Sequence, residues 1–141
     1  MATDTANSDT VNVLARKLGF KPACRVFVAG APQGYARLLD PLPDGVVFER
    51  KPSEATDLAH VFVVRKEGLA LHLAALRRTL KPGASLWVSW PKKSSRVPTT
   101  VTEDVIREIA LPMGFVDVKV CAVSAVWSGL KLVVRKELRG R

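Results

Sequence analysis

The stretch Leu80-Lys81-Pro82-Gly83-Ala84-Ser85-Leu86-Trp87-Val88-Ser89-Trp90-Pro91-Lys92-Lys93 decides the fold. Leu80 closes a run in which Leu69, Leu73, Leu76 and Leu80 recur at helical spacing, with Arg77 and Arg78 where a helix dipole favours cations. Pro82-Gly83 then turns the chain, since proline cannot extend a helix and glycine tolerates the exit. Residues 84–90 are largely apolar and rich in strand formers, which predicts a buried strand. Pro91-Lys92-Lys93 ends it with an abrupt basic exit. Helix, tight turn and buried strand in this order make half of a strand–helix–strand unit.

Working outward, the same alternation extends in both directions. Residues 1–9 are small and polar, without apolar periodicity, and predict a disordered N-terminus. Val11, Leu14 and Leu18 predict a short helix capped by Asp9 or Thr10 and ended by Gly19 and Pro22. Strands are expected at 24–30, 46–49 and 60–64, with a brief helix at 35–39 and a loop around Pro41, Pro43 and Asp44-Gly45. After the 84–90 strand come a loop at 94–100 and a helix at 102–111 that starts at Thr102 and buries Val105, Ile106 and Ile109. Strands at 115–123 and 130–134 lie too close for a parallel crossover, so they form an antiparallel hairpin, with Trp127 as its anchor. The expected architecture is a three-layer α/β domain over 10–136. Its six-stranded sheet is mostly parallel, with a C-terminal antiparallel hairpin and a basic tail at 137–141.

The totals bound the class. At 141 residues, 48% apolar and 25% charged, the chain suits one globular domain. No apolar run approaches the roughly 18 residues of a bilayer span, and the polar N-terminus lacks the order of a secretory signal. Cytoplasmic location without a membrane partner is the expectation. Cys24 and Cys121 form no C-x-x-C pair and predict reduced thiols. The net charge of +9 points to an anionic small molecule, an acidic partner or nucleic acid.

Four features together resemble the class I methyltransferase fold. Glycines Gly30 and Gly34 follow the first strand, and Glu49 ends the second. The L-K-P-G turn precedes the 84–90 strand, and a strand–hairpin–strand closes the chain. The strings V-A-G-A-P-Q-G-Y, L-W-V-S-W-P-K-K-S, D-V-K-V-C-A and W-S-G-L-K-L also resemble a family of small bacterial proteins of unknown function. In that family's pattern, acidic residues commonly occupy the places of Thr100 and Ser124. The first resemblance implies the strand order 2-1-3-4-6-5 and S-adenosylmethionine as cofactor. The chain argues against the cofactor: about ten residues separate Glu49 from His60, fewer than a helical crossover needs. The helix and strand that would complete an adenine pocket do not fit there. G-A-P-Q-G also lacks a dinucleotide glycine fingerprint.

Parallel strands present their carboxyl ends on one edge, where ligands bind in open α/β sheets. Here those ends carry Gly30, Gly34 and Tyr35; Glu49, Arg50 and Lys51; Arg65 and Lys66; and Trp90, Lys92 and Lys93. Six cations beside a glycine turn predict an anion-binding edge, with Glu49 either accepting a ribose hydroxyl or pairing with Arg50 or Lys66. Trp87 and Trp90, three apart, point to opposite faces and are read first as packing residues. His60 and His72 read as structural. No hydrolase, zinc-protease or Walker pattern is present, so no catalytic or metal residue is assigned. The function expected is a non-catalytic or degenerate methyltransferase-like domain. A nucleic-acid-associated basic module and a true methyltransferase with a shortened cofactor site are the alternatives.

Overall fold

A computed structural model describes residues 11–140. Six strands form one sheet: β1 (Arg25–Ala29), β2 (Val47–Glu49), β3 (Leu58–Phe62), β4 (Ser85–Pro91), β5 (Phe115–Ala122) and β6 (Trp127–Val134). Their order is β2-β1-β3-β4-β6-β5, as expected. The first four are parallel, and β6 runs antiparallel to both β4 and β5. Among the described residues, four α-helices cover the sheet: α1 (Val13–Leu18), α2 (Tyr35–Leu39), α3 (Lys66–Thr79) and α4 (Glu103–Ala110).

The sheet separates two apolar layers. Ala59, Val61, Leu86, Val88, Trp90, Leu130 and Leu132 face Leu69, Leu73 and Leu76 of α3 and Ile106 and Ala110 of α4. Val26, Leu58, Phe62 and Trp87 face Ala15 and Leu18 of α1 and Tyr35 and Leu39 of α2. Trp87 and Trp90 therefore pack in opposite layers, as their odd spacing requires. The Trp87 indole Nε1–H donates to the Leu18 carbonyl at 2.8 Å, which ties α1 to the sheet centre.

Several boundaries differ from the sequence reading. The α1 cap is Asn12, whose side chain accepts from the Ala15 N–H; Asp9 and Thr10 lie outside the described residues, as does the expected disorder of 1–9. β3 begins at Leu58, because Val26 and Ser85 pair with it there. β6 begins at Trp127, opposite Pro91, so the tryptophan belongs to the strand and not to the link. In α4 the Thr102 cap holds, and Ile106 and Ala110 are the fully buried residues. Beyond β6, residues of the expected tail turn back: the Arg139 Nε–H donates to the Val134 carbonyl at 2.6 Å.

Between Glu49 and Leu58 the chain passes from β2 to β3 without a helix. It is held at β1, where the Asp57 N–H donates to the Arg25 carbonyl and the Arg25 N–H donates to the Asp57 carboxylate, both at 2.8 Å. β2 is left as a three-residue edge strand with Phe48 48% exposed. No helix among the described residues is long and apolar enough to cross a membrane. Both cysteines are free thiols.

Candidate functional site

The carboxyl ends of β1 to β4 share one edge, set by their parallel register. The turn after β1 approaches the neighbouring strand closely. A Cβ at Gly30 (φ +71°) would lie 2.8 Å from the Phe62 carbonyl oxygen. Gly34 (φ +88°) caps the five-residue α2 and has open space around it. A helix this short carries little dipole, so its N-terminus adds little positive charge near Gly34.

The expected ligand residues divide into two groups. Arg50, Lys66 and Lys93 are exposed and Lys92 is half-buried, and with the exposed Lys51 and Arg65 they line this edge. None of these six forms an ion pair with another described residue. Glu49, Tyr35 and Trp90 are turned elsewhere. Glu49 accepts from the Thr56 hydroxyl at 2.6 Å and from the Arg25 Nε–H at 2.7 Å, so both carboxylate oxygens are occupied. The Thr56 hydroxyl, and then Arg25, hold its carboxyl below the ordinary range. Its partners are thus Arg25 at the start of β1 and Thr56 in the crossover, not Arg50 or Lys66. Trp90 is 8% exposed and packed in the α3–α4 layer.

Tyr35 points inward to a buried relay that sequence reading did not find. Its hydroxyl is hydrogen-bonded to His60 Nδ1 at 2.9 Å, and His60 Nε2 to Ser89 Oγ at 2.7 Å. Phe62 stacks on the His60 ring with centroids 4.2 Å apart. Burial lowers the His60 pKa to about 3, so the imidazole is neutral, donating through one nitrogen and accepting through the other. Burial likewise raises the Tyr35 pKa. Every member is satisfied, and the relay ties the turn after β1 to β3 and β4.

Thr100 and Ser124 have local tasks. The Thr100 hydroxyl accepts from the Lys66 N–H at 2.8 Å, capping α3 from across the edge. Ser124 Oγ accepts from the Val126 and Trp127 N–H groups in the hairpin turn. Aspartate performs both tasks equally well.

A cleft of about 370 Å³ opens at the opposite, amino edge, lined by Lys21, Cys24, Asp57, Lys81 and Ser85 among others. Its charges are partly spent internally, since Lys81 Nζ bonds Asp57 Oδ1 at 2.5 Å. No group of three or more potential metal-ligating side chains occurs among the described residues.

Solved structures share this architecture. A SAM-dependent methyltransferase from Aquifex aeolicus superposes with a TM-score of 0.64 at 16% identity, over 85% of this chain and 87% of its own. The fold is methyltransferase-like. A ribosomal protein L11 methylase from Lactobacillus delbrueckii subsp. bulgaricus gives 0.54 at 12% identity, over 96% of this chain and 80% of its own. A fibrillarin pre-rRNA processing protein from Methanococcus jannaschii gives 0.51 at 13% identity, over 86% and 73%. No family model matches the chain, and no curated protein does either.

Proposed function

We propose that this methyltransferase-like domain binds an anionic ligand or partner at the carboxyl edge of its sheet and transfers no methyl group. The observation that carries this is the accumulation of Arg50, Lys51, Arg65, Lys66, Lys92 and Lys93 on one edge without ion-pair partners among the described residues. Uncompensated cations on a common edge focus positive potential there. The acid that a ribose would need, Glu49, is already bonded to Thr56 and Arg25.

Calorimetric titration with inorganic tripolyphosphate is the direct test. The wild-type protein is expected to bind it, and Lys92→Glu with Lys93→Glu to weaken binding at least tenfold. Equal affinity of wild type and double variant removes these lysines from the site, and absence of binding removes the site.

The likeness to a SAM-dependent methyltransferase supports a second reading, in which S-adenosylmethionine occupies a shortened pocket. A thermal midpoint raised by S-adenosylmethionine or S-adenosylhomocysteine, and unchanged by tripolyphosphate, selects it. The +9 charge supports a third, nucleic-acid binding. Its signature is steeply salt-dependent affinity for oligonucleotides of any sequence.

A further inference from the structure

The outer end of the sheet, away from the carboxyl edge, carries charge that the fold does not need. Lys119 of β5 and Lys131 of β6 are direct cross-strand partners. Like charges placed directly opposite destabilise an antiparallel pair. Lys21, in the turn before β1, adds to them: desolvation first, then Lys119 and Lys21, lower the Lys131 pKa. Lys17, in the last turn of α1, acts with Lys119 on the half-buried Cys121 thiol, opposing the rise caused by burial. The paired Lys119 and Lys131 thus feel two further lysines from the segment that runs from α1 to β1. None has an ion-pair partner among the described residues. Asp117, the acid of β5, bonds Arg107 of α4 at 2.9 Å and so serves the other face.

A lysine and a bulge on an edge strand keep unwanted strands away, and Lys119 and the register shift beside Asp117 do this for β5, leaving its edge to strands that bring negative charge. Lys131 has no such use, because β6 lies between β4 and β5. Repulsion retained on an interior strand is screened by water and salt, and an anion from outside relieves it further. The adjoining surface indicates its form. β5 ends the sheet, so the outward side of its backbone has no strand partner among the described residues. Val116, Val118 and Val120 along it are 36%, 52% and 49% exposed. A valine-rich edge beside lysines suits an extended polypeptide, whose backbone pairs with the edge while alternate side chains meet one face. Nucleic acid would find the charge but no stacking surface, since the only aromatic of β5, Phe115, is buried. A second copy of this chain would bring the same lysines together.

We propose that the β5 edge, with Lys17, Lys21, Lys119 and Lys131, docks an acidic peptide segment as an added strand, its carboxylates at alternate positions facing the lysines. This surface is independent of the carboxyl-edge site and shares no residue with it.

Fluorescence anisotropy with a labelled Glu-Val repeat peptide tests the proposal on the full chain. Binding is expected to be saturable and to weaken with salt. It should fall at least tenfold in Lys119→Glu with Lys131→Glu, and stay unchanged in Lys92→Glu with Lys93→Glu. The uncomplexed Lys131→Thr protein should melt at a higher temperature than wild type while binding the peptide more weakly, a split that a purely structural lysine would not give. Amide exchange across residues 115–122 should slow in the complex. Failure of the peptide to bind, equal binding by the hairpin double variant, or a lower melting temperature for Lys131→Thr would overturn the proposal. Tighter binding of a single-stranded oligonucleotide of equal charge would overturn it too, in favour of nucleic acid.

Discussion

Gly30→Ala should be the most damaging conservative change at the carboxyl edge, and Gly34→Ala supplies its control. Both glycines hold positive φ, +71° and +88°. An L side chain in that region costs about 1–2 kcal/mol, and this is the whole expected cost at Gly34, which has open space around its missing Cβ. At Gly30 the added methyl meets the Phe62 carbonyl oxygen at 2.8 Å. That oxygen belongs to β3, held between β1 and β4, and the next residue's N–H donates to the Ser89 carbonyl at 2.9 Å. The neighbour is backbone in the middle of a sheet and cannot swing aside. Overpacking of this kind adds ~1–3 kcal/mol, so the total for Gly30→Ala is ~2–5 kcal/mol. Urea unfolding followed by tryptophan fluorescence measures both variants, with an unchanged m-value as the sign of a shared transition. A Gly30→Ala cost no larger than that of Gly34→Ala would refute the close approach of the β1 turn to β3.

Further outcomes follow from the relay and the long-range cap. His60 has a folded pKa of about 3 against an ordinary 6.5, so the unfolded chain binds its proton first as pH falls. Stability should be complete above about pH 6.5 and decline by up to ~1.4 kcal/mol per pH unit below it. Between pH 6.5 and 4.5 this decline precedes titration of the low-lying carboxyls of Glu49, Asp57 and Asp117. Urea midpoints across that window should fall in wild type and stay flat in His60→Gln. Thr100→Ala should lose ~0.5–2 kcal/mol through the uncapped Lys66 N–H, while Thr100→Asp should stay near wild type in the same assay.

The sequence carried the architecture because each element is specified by local chemistry. Gly19, Pro82-Gly83 and Gly114 mark element ends, and the spacing of Leu69, Leu73 and Leu76 marks a buried helix face. The separation of Trp87 from Trp90 assigns them to opposite layers. The short link after Glu49 excluded a helix there, and the crossover indeed has none. The strand order came with the resemblance to the methyltransferase fold, since alternation alone fixes only parallel pairing and the closing hairpin.

The candidate site was legible only as a list of strand ends. Its exposed lysines and arginines lie where parallel topology puts them, since a charge at a strand end follows the backbone. The inward-facing residues were not legible. Nothing near Glu49 in sequence announces Arg25, 24 residues away, or singles out Thr56 as a partner, because the β1–β2 register and the helix-free crossover create both contacts. Tyr35, His60 and Ser89 come from α2, β3 and β4 and meet only in the assembled layer. The opposition of Lys119 and Lys131 depends on the hairpin register, which shifts between Asp117 and Lys119. By itself, then, the sequence determined which elements form, their order and the edge on which the cations emerge, because periodicity, turn chemistry and chain length act within a few residues. Only tertiary structure decided which polar groups satisfy one another and which charges stay unanswered, because hydrogen bonds and ion pairs need atoms within about 3–4 Å, a proximity that folding alone supplies.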